Sequence, residues 1–455
     1  MASFSSLNFI LRFLPIFLLV YYLVPTKAKR IVSIIGSLIF YAFGDLLFLP
    51  LIIFLTVINY LIGSSSFKVD RLGDINVKQR ERKRTLILAL IIDISVLILF
   101  KIGTVFFDLE YWPLGLSFYI FKMISYQIDV KRRNISEKPS FIETVDYFLL
   151  FPQVMQGPIM CYADNRPQWS KSDLWVNIEN GAAYFVAGFA MKTYLADRIG
   201  ILWKDLGMYG YDSISTPLAY LGAFSYSFEL YFDFWGYSLM ASGIMVAMGY
   251  KFIRNFDNPY ASRSVSDFYR RWHMTLGSFF KDYIYIPMGG NRCSKGRLVL
   301  NLAIVWLLTG IWHGNGINFV IWGLVLGVFV ILEKLLWGKY IEKTFLGNIY
   351  VLIIIPITWV IFAIRDIPSG IEYFKRLFPF WGSASYVNNW DVIDYLKSYW
   401  MLFAIAILLC IPPVVKLLKR IARKWYGAVA LLILFWVAAY FSASGAVNPF
   451  MYLDF

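Results

Sequence analysis

Two histidines are the residues of this sequence best suited to acid–base chemistry. His273 stands in Arg-Arg-Trp-His and His313 in Gly-Ile-Trp-His-Gly, and the chain contains no other histidine. Each follows a tryptophan beside or within an apolar stretch. Imidazole exchanges a proton near neutral pH, and in its neutral form it can act as a general base toward a hydroxyl. Both residues are therefore candidates for a catalytic role.

The setting of His313 favours catalysis without requiring it. This histidine ends an apolar run, and the glycines Gly314 and Gly316 after it permit close backbone approach and unusual dihedral angles. An ionisable group at membrane depth is costly, which makes it a functional candidate. A helix-capping or hydrogen-bonded interface histidine explains the same pattern, so the residues alone leave both interpretations open.

His273 has the weaker individual claim, because charged residues such as Arg271 and Asp282 stand near it in the sequence. A structural histidine satisfied by its neighbours is equally compatible with this pattern. A shared metal site would need a third protein ligand, and neither Asp267 nor Asp282 stands at a ligand spacing. We therefore predict no metal site and no bound cofactor.

Three aspartates lie within apolar segments, where a carboxylate is costly. Asp233 is embedded in an aromatic run, and arginines such as Arg270 or Arg271 are possible partners. It could line a polar tunnel, but a structural ion pair or hydrogen bond between helices is the favoured interpretation. We interpret Asp93 and Asp129 in the same way.

Composition indicates the elements that must position these residues. Hydrophobic residues make up 59% of the 455 residues and charged residues only 16%, whereas a soluble domain carries about 25% charged residues. With a mean hydropathy of +0.60, the chain is predicted to be an all-α polytopic membrane protein. We count roughly 11–13 apolar segments. The clearest lie at residues 7–24, 31–43, 46–62, 86–100, 114–128, 182–196, 218–234, 236–248, 298–312, 319–336, 349–363, 400–415 and 428–441.

The net charge of +14 is concentrated in short segments between the apolar runs. Basic clusters occur at residues 27–30, 68–84, 131–133 and 416–424. This pattern indicates cytoplasmic loops in contact with anionic membrane lipid rather than a nucleic-acid interface. It predicts a multi-pass plasma-membrane protein whose N-terminus and C-terminus both lie outside.

One polar and aromatic segment, residues 251–297, interrupts the apolar pattern of what we predict to be a single domain over residues 1–455. Residues 264–267, Ser-Val-Ser-Asp, predict a capping box in which both end residues satisfy free amides. One amphipathic helix is expected to follow and to end at residues 286–287, Ile-Pro. Its apolar stripe would contain Phe268, Trp272, Leu276 and Phe279.

The same segment carries a resemblance to a known family. Its motifs lie at residues 254–260, 262–264, 268–273, 281–287 and 289–292. They resemble the membrane-bound O-acyltransferase (MBOAT) family, in its bacterial alginate O-acetyltransferase (AlgI-like) branch. Further matching motifs lie at residues 4–6, 13–15, 40–44, 113–118, 126–130, 151–153, 157–159, 196–198 and 449–452.

The resemblance implies a ring of tilted helices around a thin centre that a tunnel crosses. It implies transfer of an acyl group, expected to be acetyl, from a cytoplasmic thioester to a hydroxyl. The donor would be acetyl-CoA or a carrier-protein thioester, and the acceptor an exported polysaccharide or an extracytoplasmic acetyltransferase-like partner protein. The family's invariant histidine corresponds to His313, and its second histidine to His273.

Three alternatives stay open at this point. Residues 236–239, Gly-Tyr-Ser-Leu, also occur in members that transfer D-alanine toward teichoic acid, whereas residues 286–292 are of the polysaccharide-acetylating type. A transporter of a lipid-linked precursor would need ion or substrate sites at the midplane, often in paired repeats, and the sequence has no evident repeat. A non-catalytic scaffold for a secretion complex would not require His313.

Overall fold

A computed structural model describes residues 4–69, 74–106, 112–170, 172–381 and 388–445. Every regular element in these ranges is helical, so the predicted all-α class is confirmed. The helices form two compact units: Met1–Phe185 with Tyr237–Ile253, and Val186–Gly236 with Arg254–Phe455. The closing motif at residues 449–452 and the predicted outer C-terminus lie outside the described residues.

The first unit is built mainly from the N-terminal helices of the chain. They are α1 Leu14–Leu23, α2 Lys29–Gly44, α3 Leu49–Lys68, α4 Ile75–Phe106, α5 Leu116–Arg132, α6 Phe141–Leu149 and most of α7 Leu174–Ala190. Buried carboxylates in this unit are hydrogen-bonded to amide side chains. Asn59 of α3 donates to Asp93 of α4 at 2.8 Å, which joins two helices as predicted. Asn134 donates to Asp129 at 2.9 Å, and this bond ties α5 to the turn that follows it rather than to another helix.

The second unit contains both histidines. Its helices after α7 are α8 Asp197–Tyr209, part of α9 Thr216–Ala247, α10 Val265–Arg271, α11 Met274–Phe280, α12 Lys295–His313, α13 Ile317–Leu332, α14 Gly338–Ile341, α15 Leu346–Ala363, α16 Ile367–Leu377, α17 Asp391–Cys410, α18 Pro412–Ala422 and α19 Trp425–Ser444.

Seven helices in the described ranges are long and apolar enough to cross a membrane. They are Leu49–Lys68, Ile75–Gly103, Lys295–His313, Ile317–Ile341, Leu346–Ala363, Asp391–Cys410 and Trp425–Ser444. Together with the family assignment below, they confirm a multi-pass membrane protein. The basic residues at positions 78–84 were expected in a loop, but they form the first turns of α4.

Two predicted boundaries between apolar segments differ from the structure. Residues 218–234 and 236–248 were expected to be two spans, but they form the single helix α9. Gly236 lies inside this helix instead of ending it. The glycine lets the backbone of Gly188 come close, since a side-chain carbon at position 236 would lie 2.6 Å from the Gly188 carbonyl oxygen. The segment 400–415 is divided instead, because α17 ends at Cys410 and Pro412 begins α18.

Close packing of α12 against α13 sets the frame for His313. Gly310 and Gly323 lie in this contact, where an added side-chain carbon would approach a carbonyl oxygen of the other helix to 2.5 Å in each case. Small residues of this kind allow membrane helices to pack backbone against backbone. The end of α12 is thereby fixed beside the first turns of α13.

Candidate active site

His273 lies at a sharp break between two short helices. The predicted single amphipathic helix is wrong, because α10 ends at Arg271 and α11 begins at Met274. His273 adopts the left-handed conformation, with φ 44° and ψ 53°. This conformation costs an L-residue about 1–2 kcal/mol, so the surrounding structure must stabilise it.

The start of α10 is capped by the hydroxyl of Ser264 and the carboxylate of Glu333. The hydroxyl of Ser264 accepts from the Asp267 amide at 3.0 Å, which confirms half of the predicted capping box. The amides of Val265 and Ser266 donate instead to the carboxylate of Glu333, at 2.6 and 2.9 Å. The Asp267 carboxylate pairs with Arg271 at 3.1 Å. Its predicted role in the cap is therefore taken by Glu333.

The irregular segment before α10 supports the break at His273. The Met274 amide donates to the Asn255 carbonyl at 2.9 Å, and the Asp257 amide donates to the Arg271 carbonyl at 3.0 Å. The side-chain oxygen of Asn255 lies 3.1 Å from His273 Nδ1. Residues on both sides of the break are thus tied to the segment that contains Asn255 and Asp257, which fixes the position of the imidazole.

The imidazole of His273 is only 3% exposed and packs edge-on against Phe234, with ring centroids 4.6 Å apart. It lies outside the seven spanning helices. Burial disfavours the charged imidazolium and lowers the pKa of His273 to about 3. Its Nε2 is buried and has no hydrogen-bond partner within the described part of the chain. A neutral ring with one unused nitrogen faces this aromatic site.

His313 is the last residue of α12 and is partly buried. The close approach expected at Gly314 is confirmed, since a side-chain carbon there would lie 2.2 Å from the Phe319 ring. The backbone of Gly314 is extended, with φ −177°, so the unusual dihedral angle expected at this glycine is not found. The His313 ring contacts Trp322 and Phe362, with centroid distances of 5.0 and 5.2 Å.

Trp312 connects the two histidines. Its ring centroid lies 4.6 Å from that of His313 and 6.3 Å from that of His273. Asn318 of α13 donates to the Phe362 carbonyl at 2.8 Å, which holds the end of α15 against the same cluster. The structure therefore brings both predicted site residues into one aromatic cluster of the second unit. Their catalytic roles stay predictions.

Asp233 belongs to a separate buried ion network. Lys192 lies 2.6 Å from its carboxylate and 2.7 Å from that of Asp197. The side chains of Lys192 and Asp233 are each 2% exposed. The favoured interpretation of Asp233, an ion pair between helices, is confirmed, but the suggested arginine partners are wrong. Arg270 and Arg271 pair with Asp267 instead.

Three residues of the histidine cluster were not assigned a role from the sequence. Asn255 was noted only as part of a motif, although a buried amide within an aromatic segment was an available signal. Trp322 lies within the predicted apolar segment 319–336, and its buried indole N–H has no partner within the ranges described. Phe362 ends an apolar helix, and no local pattern distinguishes it from a core residue.

The chain is similar to a family of known proteins over most of its length. The model of the MBOAT, membrane-bound O-acyltransferase, family matches residues 34–365, which include both histidines. The "Probable alginate O-acetylase AlgI" of Pseudomonas syringae pv. tomato is 34% identical over 399 residues, covering 83% of this chain and 75% of the relative.

Two other relatives act on different polymers according to their names. The "Peptidoglycan O-acetyltransferase" of Helicobacter pylori is 31% identical, with 82% of this chain and 79% of that protein covered. The "Teichoic acid D-alanyltransferase" of Bacillus subtilis is 30% identical, with 46% and 56% covered. The extent of the family match and of the first two alignments leads to one conclusion: this chain belongs to the membrane-bound O-acyltransferase family and is an O-acyltransferase.

Proposed function

We propose that this protein transfers an acetyl group from a cytoplasmic thioester to a hydroxyl of an exported cell-surface glycopolymer or of an extracytoplasmic partner protein. The observation that carries the proposal is the aromatic cluster around His313. It places an imidazole at the end of a spanning helix, with the second histidine connected to it through Trp312. Such a site combines a base with walls that exclude water.

His313 acts as the general base in the proposed reaction. Its imidazole removes the proton of the acceptor hydroxyl, and the oxygen attacks the carbonyl carbon of the thioester. The carbon–oxygen bond forms and the carbon–sulfur bond breaks. The proton then passes from His313 to the departing thiolate, which leaves as the free thiol. Trp312 and Trp322 pack against the base and strengthen electrostatic interactions by keeping the site dry.

The acetyl group is favoured over D-alanine by the extent of the alignments. The two relatives named for acetylation align with 83% and 82% of this chain, whereas the D-alanyltransferase aligns with 46%. An O-acyltransferase also needs no transporter or scaffold role to explain its membrane helices. Both the alginate and the peptidoglycan relatives are named for carbohydrate polymers, which supports a glycopolymer acceptor.

The proposed donor is acetyl-CoA or an acetylated carrier protein, and the proposed topology places the basic segments on the donor side. Under the positive-inside rule, the clusters at residues 27–30, 78–84 and 416–424 face the cytoplasm. Both termini then lie outside. An extracytoplasmic acetyltransferase-like protein would complete transfer when the polymer itself does not reach His313.

Chemical analysis of the exported polymer distinguishes the acetyl and D-alanyl proposals. Cells with and without the protein are compared for ester-linked acetate and ester-linked D-alanine after mild alkaline release. We expect acetate to depend on the protein and D-alanine to be unaffected. D-Alanine that disappears with the protein, with acetate unchanged, would replace the acetyl proposal by its alternative.

Replacing His273 with alanine should reduce acyl transfer less than replacing His313. His273 contributes one acceptor nitrogen to the site, and a neutral hydrogen bond near 1.4 kcal/mol corresponds to a loss of about tenfold in rate. Initial rates in membranes that contain equal amounts of wild type and His273→Ala measure this loss. A rate equal to that of the wild type would remove His273 from the mechanism.

A further inference from the structure

The polarity of the His273 site is determined by Asn255. The backbone amide of Thr275 donates to the Asn255 side-chain oxygen at 3.2 Å, and the Thr275 hydroxyl donates to the same atom at 2.9 Å. A backbone amide can only donate, so the atom facing it must be the amide oxygen of Asn255. That oxygen is also the atom 3.1 Å from His273 Nδ1.

An acceptor at this position fixes the tautomer of the imidazole. Because the Asn255 oxygen can only accept, Nδ1 of His273 must carry the proton. The ring is neutral, since burial opposes a second proton, and Nε2 therefore holds a lone pair. This nitrogen is buried without a partner in the ranges that the structure describes, so it is available to accept a hydrogen bond from a ligand.

We propose that Asn255 is a positioning residue that holds His273 as the Nδ1–H tautomer, so that Nε2 accepts a hydrogen bond from a hydroxyl of the acceptor next to the one that His313 deprotonates. The thioester carbonyl has no hydrogen to donate, whereas a neighbouring hydroxyl of the acceptor has one. His273 therefore faces the acceptor and does not stabilise the oxyanion. This inference rests on the proposed function for the identity of the hydroxyl, but the tautomer itself does not depend on it.

Asn255→Asp and Asn255→Ala form a matched pair of variants. The carboxylate of Asn255→Asp keeps a hydrogen-bond acceptor in place. The substitution breaks no hydrogen bond of the Asn255 amide nitrogen, because this nitrogen has no partner in the described ranges. A neighbouring negative charge should raise the protonation midpoint of His273 by about 1–3 pH units. Asn255→Ala removes the acceptor and should allow protonation of Nε2. Thr275→Val removes the bond from the Thr275 hydroxyl to the same oxygen and serves as the control for the tautomer.

Nitrogen NMR can read the tautomer directly, because the chain has only two histidines. The protein is purified without a histidine tag after labelling with ring-¹⁵N histidine, and His313→Gln identifies the His273 signals. We expect a protonated Nδ1 and a bare Nε2 in the wild type, in Thr275→Val and in Asn255→Asp at neutral pH. We expect protonated Nε2 to appear in Asn255→Ala. A proton on Nε2 in the wild type would overturn the proposal.

A double-mutant cycle tests whether Asn255 acts through His273. We expect Asn255→Ala and His273→Ala each to lower acyl transfer about tenfold, and the double variant to lose no more than either single one. The KM for the acceptor should rise while the KM for the thioester stays constant. Additive losses, or a rise confined to the thioester KM, would overturn the positioning role. A correct tautomer with a fully active His273→Ala would instead contradict the proposed function of His273.

Discussion

Replacing His313 with alanine is expected to lower acyl transfer by about 10²–10⁴-fold, the contribution of a positioned general base. The side chain stands at the end of α12 and packs against Trp312, Trp322 and Phe362. Removing it leaves the hydroxyl without a base in a site that excludes water. The ester-linked acetate on the exported polymer measures the loss in cells.

His273→Ala is the matched control for His313→Ala, because it removes the only other imidazole from the same cluster. The amount of each variant in the membrane must equal that of the wild type, so that lost folding is not read as lost catalysis. We expect the His313 variant to lose far more activity than the His273 variant. Acetylation at the wild-type level in His313→Ala, at normal abundance, would contradict the role of His313 as base.

Replacing Lys192 with methionine is expected to destabilise the protein by about 3–5 kcal/mol, the usual cost of breaking a buried ion pair. Lys192 lies between the carboxylates of Asp233 and Asp197. Without the ammonium group, two like charges remain close together, one of them on a side chain only 2% exposed. Thermal unfolding in detergent should occur at a lower temperature, and the steady-state amount in the membrane should fall.

Lys397→Met is the control for this effect of charge removal. Its side chain is 73% exposed and lies 3.5 Å from Asp394, which is itself exposed. Surface ion pairs contribute little to stability, so this variant should unfold with the wild type. A triple variant combines Lys192→Met with Asp233→Asn and Asp197→Asn. If its unfolding temperature returns toward that of the wild type, the uncompensated carboxylates cause the loss of stability. Equal unfolding temperatures for Lys192→Met and the wild type would contradict the structural role of the network.

The two candidate site residues and the helical class could be predicted from the sequence, because both depend on local information. Composition and apolar runs determine that the chain is helical and crosses the membrane, and the scarcity of imidazoles identifies His273 and His313. Their placement in one aromatic cluster, on either side of Trp312, could not be predicted. It depends on the packing of α12 against α13 and on Trp312, which no periodicity specifies.

The error at residues 264–287 has a definite physical cause. The apolar stripe through Trp272 is compatible with one helix, but hydrogen bonds between residues 271–275 and the segment at Asn255 and Asp257 hold a left-handed residue at the break. These bonds are made by residues distant in sequence, so they override the local helical preference. The same contacts give His273 its orientation, which is why the helix break and the candidate site occur together.

In the proposed function, acetyl groups pass from a cytoplasmic thioester to an extracytoplasmic hydroxyl through the His313 site. Sealed membrane vesicles of known orientation, with labelled acetyl thioester supplied only on the cytoplasmic side, test it most directly. We predict alkali-labile label on polymer or partner protein at the opposite face with the wild type, and a loss of about 10²–10⁴-fold with His313→Ala. Equal labelling by both proteins, at equal abundance, would contradict the claim.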